Sequence, residues 1–327
     1  MMDKVFSFDN AAFHFARTSG PSGYMWKHAL SYLLLAGLIV AVSYFLMKPL
    51  WDVYGQAMAE VMMLAETGGP GDPAVMAGEI STALMENALR ILLGQILIVV
   101  LGVMLWAAFE AAIQRRYVRD EGFSLRFGGD ELRIIVVGLI WMAMFIGGGI
   151  VTQLAMLGLV MPVATMVDNP AVAGIWGFVV GLSFIAVWIY FTVRWSAAAA
   201  LTIRDRKIRF FDSWGATKGR FWTMLGAFLV LWLILGVVFF ILYAVGVTGL
   251  FGSAMMAPGV MQGTEPDMTA LMEYIMQPAF LAAVAALYAV MIGFQAIAGY
   301  IWAGVAALAA KTDPRGGGMV HAASAFD

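Results

Sequence analysis

The chain contains no cysteine. That absence excludes disulfides, thiolate-held metals and cysteine nucleophiles together. Charge is also scarce: acidic and basic residues make up 12% of the 327 positions, about half the usual share of a soluble domain. Histidine is scarcer still. His14, His28 and His321 fall on three separate elements and do not resemble the convergent set a metal needs. The glycine clusters "TGGPGD", "FGGDEL", "IGGGIV" and "RGGG" lack the G-x-x-x-x-G-K-[ST] spacing that cradles phosphate. The sequence therefore predicts no cofactor and no metal, and a function that is not enzymatic.

What the chain has is apolar surface, with hydrophobic residues at 62%. Runs at about 28–50, 88–113, 134–161, 172–202, 223–250 and 279–310 carry hardly a charge. Each is long enough to cross a hydrocarbon core of roughly 30 Å. The first run is of full membrane length and has no small-residue cleavage pattern before it, so no cleavable signal peptide is expected.

The charges are sorted by side. Lys4, Arg17 and Lys27 precede the first run. Arg115, Arg116, Arg119, Arg126 and Arg133 fill the second connection, and Arg204, Arg206, Lys207, Arg209, Lys218 and Arg220 fill the fourth. Lys311 and Arg315 follow the last run. The odd-numbered connections hold acids such as Asp52, Glu66, Asp72, Glu86, Asp168 and Glu265, with Lys48 and Arg90 at their edges. The positive-inside rule then places both termini in the cytoplasm.

An internal repeat follows the same sorting. "WAAFEAAIQRRYVRD" from Trp106, "WSAAAALTIRDRKIR" from Trp195 and "WAGVAALAAKTDPR" from Trp302 each run from tryptophan through small residues into charge. Small residues let membrane helices approach closely. "FSFDNAAFHFAR", "FSLRFGGDELR" and "RFFDSWGATKGRFW" place aromatics before a basic residue and a new apolar run, as in short interfacial amphipathic helices. On the other side "GDPAVMAGE", "DNPAVAGIW" and "TEPDMTALM" read as helix starts. The expected fold is an all-α polytopic membrane protein in a single domain. Its six transmembrane helices form three parallel repeats of interfacial helix plus transmembrane hairpin, at about 5–116, 117–206 and 207–313, followed by a flexible tail at 314–327.

Few residues invite a functional reading. Glu110 and Arg194 lie about 7 Å and about 15 Å inside the first basic residue of their connections at 1.5 Å per residue. Charges at that depth commonly face a bundle interior, so a Glu110–Arg194 pair across the second and fourth spans is one expectation; snorkelling to the headgroups is the other. Gln95, Gln153 and Gln295 are mid-span amides for which interhelical hydrogen bonds suffice. Gly147, Gly148 and Gly149 lie inside the third span, either as a helix break or as a close-packing contact. Met58, Met62, Met63, Met76 and Met85, with Met255, Met256, Met261, Met268, Met272 and Met276, crowd the outer side. A thioether copper site is one reading of them, and an adaptable apolar cap lying on membrane or partner is the one we expect. The aromatic and basic mixture at 203–222 is too short for a nucleic-acid module, and no nucleic-acid partner is expected.

On "FSFDNAAFHFAR", "FFDSWGATKGRFW" and the repeated hairpin, the chain resembles the membrane domain of some glycerophosphodiester phosphodiesterases and related uncharacterised six-helix bacterial inner-membrane proteins. No diagnostic catalytic motif matches, so the resemblance implies a fold and a bacterial inner membrane without an activity. The expected function is a membrane module packing with lipid, another membrane protein or a second copy of itself. The alternative is a transporter or lipid-handling protein with a cavity between the repeats. The absence of cysteine makes the topology directly testable. Single cysteines at Lys207 and at Gly69 should react with an impermeant maleimide from opposite faces of the membrane, the first from the cytoplasm; labelling from the same face refutes the assignment.

Overall fold

The computed structural model describes residues 6–67, 73–167, 169–262 and 265–315. His321 and all but two residues of the expected tail lie outside them. Six helices are long and apolar enough to cross a membrane: α2 (Tyr24–Leu46), α5 (Ala88–Arg119), α6 (Gly129–Met166), α7 (Pro170–Trp195) continued by α8 (Ala198–Asp205), α10 (Phe221–Met255) and α12 (Pro278–Lys311). The short α1 (Phe8–Ala12) precedes them, and α3 (Lys48–Thr67), α4 (Pro73–Glu86), α9 (Ser213–Ala216) and α11 (Met268–Ile275) lie between them. Met261–Gln262 pairs antiparallel with Glu265–Pro266. The chain is an all-α polytopic membrane protein.

The helix ends follow local chemistry. Asn169 caps α7 by accepting the Ala171 N–H at 3.0 Å, with Pro170 at the first position. Asp267 likewise accepts the Ala270 N–H at 3.1 Å over the start of α11. At α6 the Glu131 carboxylate turns back to accept the Gly128 N–H at 2.9 Å, and Asp130 adds a second negative charge to the first turn. Both acids oppose the positive end of the helix dipole.

The chain divides into two compact units, one formed by Met1–Ala29 with Ala107–Asp327 and the other by Leu30–Trp106. In the smaller unit α3 packs on α4, and Lys48 Nζ meets Asp52 Oδ2 at 2.7 Å. There Gly94 leaves no side chain between α5 and the end of α2; a Cβ would stand 3.4 Å from the Leu46 carbonyl oxygen.

In the larger unit the core sits where the spans end in basic residues, here called the basic end. The small-residue stretches of three helices meet there. Ile113 and Tyr117 of α5, Ala200 and Leu201 of α8, and Ala303, Ala307 and Ala310 of α12 share one cluster. Every residue from Ala303 to Ala310 is buried. Small residues let α8 and α12 pack closely, whereas the rings of Tyr117 and Tyr300 fill the space between α5 and α12. The most apolar window of each span is, by contrast, only 6–17% buried. Phe145, Leu154, Phe178 and Phe240 all face outward, a surface that water would not tolerate and lipid accepts.

The three aromatic segments take different forms. The first is α1 and a 3-10 turn (His14–Ala16), with Ser7 accepting the Asn10 N–H at 3.3 Å. Ala11 and Ala12 are buried against Met224 and Ala227 of α10 and Leu308 of α12, so this segment is docked into protein and leaves Phe8 exposed. The third forms the four-residue α9. The second forms no helix before α6, which corrects the expectation of three interfacial helices. Asp120 turns the chain with φ 53°, and Glu121 then pairs with Arg126 at 3.2 Å. Enlarging Ala307 to leucine should cost about 1–3 kcal/mol through overpacking and lower the thermal midpoint in detergent. Ala282→Leu, at an exposed position on the same helix, should leave it unchanged.

Candidate functional site

Arg194 is fully employed at the basic end. Helix α7 stops at Trp195 and α8 starts at Ala198, so the Arg194 carbonyl leaves the helical ladder. Ser213 Oγ and Thr217 Oγ1 donate to that carbonyl at 2.9 and 3.2 Å. The guanidinium lies over the rings of Trp214 and Tyr190, 4.8 and 5.5 Å from their centroids, an arrangement that holds a cation without a carboxylate. Glu110 is elsewhere: its Oε1 accepts the Gln114 Nε2–H at 2.7 Å, one turn along its own helix. Among the described residues the expected Glu110–Arg194 pair does not form, because each group has a nearer partner.

The other expected positions are also dispersed. Gln95, Gln153 and Gln295 are exposed rather than facing a neighbouring helix, which corrects the interhelical reading of these amides. Helix α6 runs unbroken through Gly147, Gly148 and Gly149. The Trp188 indole lies where a Gly148 side chain would project, so Gly148 serves close approach, while a side chain at Gly147 or Gly149 would meet nothing within 4 Å. Trp188 Nε1–H points to Thr152 Oγ1 at 3.4 Å. Of the methionines, Met85, Met256 and Met276 are exposed; the side chains of Met58, Met62, Met63, Met76 and Met268 lie outside the described residues.

Two constellations escaped the sequence. The first is a buried stack in which His14 lies on Tyr117 at 5.3 Å, Tyr117 on Tyr300 at 5.0 Å, and Tyr24 on His28 at 5.9 Å. Tyr24 and Tyr300 join the two halves at 5.4 Å. The Tyr117 hydroxyl donates to the Tyr300 carbonyl at 2.7 Å. Gly304 makes room below, since a Cβ there would stand 3.3 Å from that hydroxyl. Among the described residues no group of three or more histidines and carboxylates could hold a metal. The stack ties the N-terminal segment to α5 and α12.

The second is ionic. Arg115 and Glu131, each 1% exposed, meet at 2.5 Å, and Arg115 also donates to the Ser124 carbonyl at 3.1 Å. Around them Asp130 takes Arg119 at 2.8 Å and Arg133 at 3.0 Å. Cations also bridge helix ends in a closed ring. Arg119 at the end of α5 donates to the Ile203 carbonyl of α8, and Arg204 of α8 donates to the Ala310 carbonyl of α12. Lys311 of α12 returns to the Tyr117 carbonyl of α5 at 3.3 Å and pairs with Asp120 at 2.8 Å. Each cation sits where the last carbonyls of a helix lack partners and the dipole favours positive charge. Just outside the spans, Arg220 donates to the Thr312 hydroxyl and carbonyl at 2.8 and 3.0 Å. Burial lowers its guanidinium pKa from the ordinary value, and Asp313 opposes that shift.

Comparison with protein-family models, curated proteins and solved structures finds no match for this chain. Its function is therefore argued from the geometry alone. The sequence could have pointed to the ring through the cation closing each tryptophan-led segment, but nothing in it paired those cations with carbonyls. The buried pair gives a direct test. Arg115→Met leaves Glu131 buried and unpaired and should cost about 3–5 kcal/mol, read as a lost thermal midpoint. Adding Glu131→Leu should recover most of it, and a double variant no more stable than the single would refute the pairing.

Proposed function

We propose that the chain is a non-enzymatic, membrane-embedded module that packs with lipid or with a partner membrane protein. One observation carries this reading: burial is concentrated at the basic end, while the apolar length of every span keeps most of its surface uncovered. A rigid end with free apolar flanks suits docking within the bilayer better than chemistry. The residues from which a transport path was expected are dispersed, with Glu110 and Arg194 in separate surroundings and the three amides exposed, so the transport reading takes second place.

The cation ring supports the repeat reading. Arg204 and Lys311 each stand nine residues after the tryptophan of their segment, where the first segment has Arg115; there Arg119, one turn further on, takes the ring position, and each ring cation donates to a carbonyl near the end of a neighbouring helix. We read the three helix ends as corresponding parts of three repeats of hairpin and aromatic segment, offset by one turn in the first, with both termini in the cytoplasm of a bacterial cell. The resemblance to the membrane domain of glycerophosphodiester phosphodiesterases belongs to the same proposal and concerns architecture only.

Extraction into polymer-bounded native bilayer discs, followed by mass spectrometry, tests the module. The expected result is a second membrane protein, or a second copy of this chain, in fixed stoichiometry, or else a lipid annulus retained on the spans. A homogeneous, partner-free protein stripped of lipid and holding one small molecule would overturn it.

A further inference from the structure

A cleft of about 320 Å³ opens at the basic end between the end of α5, the start of α6 and the end of α8. Arg119, Arg126, Arg133 and Arg206 line it, with Asp130 and Glu131. The acids do not balance these cations. Glu131 is engaged by the buried Arg115. Asp130 is shared by Arg119 at 2.8 Å, Arg133 at 3.0 Å, Arg126 at 3.7 Å and Arg115 at 3.8 Å. Glu121 takes Arg126 at 3.2 Å, Arg119 at 3.6 Å and Arg115 at 3.8 Å. Five arginines thus face three carboxylates, and two positive charges remain. Arg206 makes no ion pair among the described residues.

The backbone contributes to this arrangement. Arg206 closes α8 in the left-handed region, with φ 54° and ψ 30°, where glycine is the usual residue. An arginine held there is not explained by the turn, which glycine would make more easily. The α6 N-terminus is not itself the attraction, because the Glu131 carboxylate already caps Gly128.

Position decides which anion fits. The cleft lies where three candidate spans end, which in a bilayer crossed by those spans is the depth of lipid headgroups. Beside it Phe127, Leu132, Val136 and Leu139 are exposed. The last three recur at helical spacing down α6 from the residue next to Arg133, an outward apolar stripe of the kind acyl chains cover. Arginine forks match phosphate oxygens in paired hydrogen bonds, and basic pockets at the ends of membrane helices are suited to phosphorylated headgroups.

We propose that this cleft binds the phosphate headgroup of an anionic phospholipid, with the acyl chains lying along the exposed face of α6. The two uncompensated charges favour a lipid bearing two phosphates over one bearing a single phosphate. The proposal rests on the membrane placement of the chain and is independent of whether the spans dock a partner.

The test is lipid retention by the purified full chain, read by native mass spectrometry while phosphatidylcholine, phosphatidylglycerol or cardiolipin is titrated into the detergent. Cardiolipin should be held best and phosphatidylcholine least. Arg206→Gly and Arg133→Gln should each weaken anionic-lipid retention by about fivefold, the effect of one cation near a charged headgroup. Arg206→Gly carries the decision, because glycine suits the left-handed turn and the thermal midpoint should not fall. Arg206→Lys should keep most of the retention. Equal retention of all three lipids, or unchanged retention in the Arg206→Gly protein, overturns the proposal. Inorganic phosphate that displaces the lipid at equal concentration, with the same dependence on Arg206, assigns the cleft to a soluble anion and overturns the lipid assignment.

Discussion

The ring in which Arg119, Arg204 and Lys311 donate to carbonyls of neighbouring helices is the interaction on which the larger unit depends. In a bilayer an apolar side chain gains no hydrophobic free energy by leaving lipid for protein, so helices associate through close packing and polar bonds. The end of a helix offers both opportunities. Its last carbonyls lack intrahelical partners and must find donors, and a cation from the neighbouring helix supplies one where the dipole also favours it. Alanine and glycine let the helices come near enough for such donors to reach. Composition and charge thus act as one device: without Ala303–Ala310 the cations would fall short, and without the cations the close-packed backbones would end in unpaired carbonyls.

This device explains why the same basic residues do several jobs. The arginines and lysines gathered at this end supply the donors of the ring, the buried Arg115–Glu131 pair and the lining of the arginine cleft. Only some of these cations are consumed. Arg115 is sealed inside, and Arg119 is divided between a carbonyl and carboxylates. Arg206 is left facing outward. The tasks are separable by burial, and that separation lets one charge-rich end serve both cohesion and recognition of a headgroup.

The spans, the capped start at Asn169–Pro170 and the convergence of small residues were legible in the sequence, because each depends on composition or on neighbours within a helical turn. The tertiary partners were not. The ring joins residues 84, 106 and 194 positions apart, and the tyrosine–histidine stack draws on segments with no common pattern. Three sequence signals were also ambiguous by nature. A triple glycine reads alike as a break or as a slot, and only the Trp188 ring decides between them. A mid-span glutamine reads alike as buried or lipid-facing, because one amide does not disturb an apolar helix. Aromatics before a basic residue suggest an interfacial helix, yet 120–127 has no regular structure, and Glu121 and Arg126 pair within it.

Arg194 shows why depth counted along a helix misleads. Counting from Arg204 assumes a straight rod and takes the first cluster of charge as the membrane boundary. The rod is broken at Ser196 and Ala197, and the chain beyond Arg209 folds back so that Ser213, Trp214 and Thr217 lie against Arg194. Its charge is accommodated by two ring faces, and its carbonyl by two hydroxyls. A cation so placed needs no acid across the bundle. The polar boundary of this protein is drawn by what folds back onto the helix ends, and the deepest charge in the sequence belongs to that boundary.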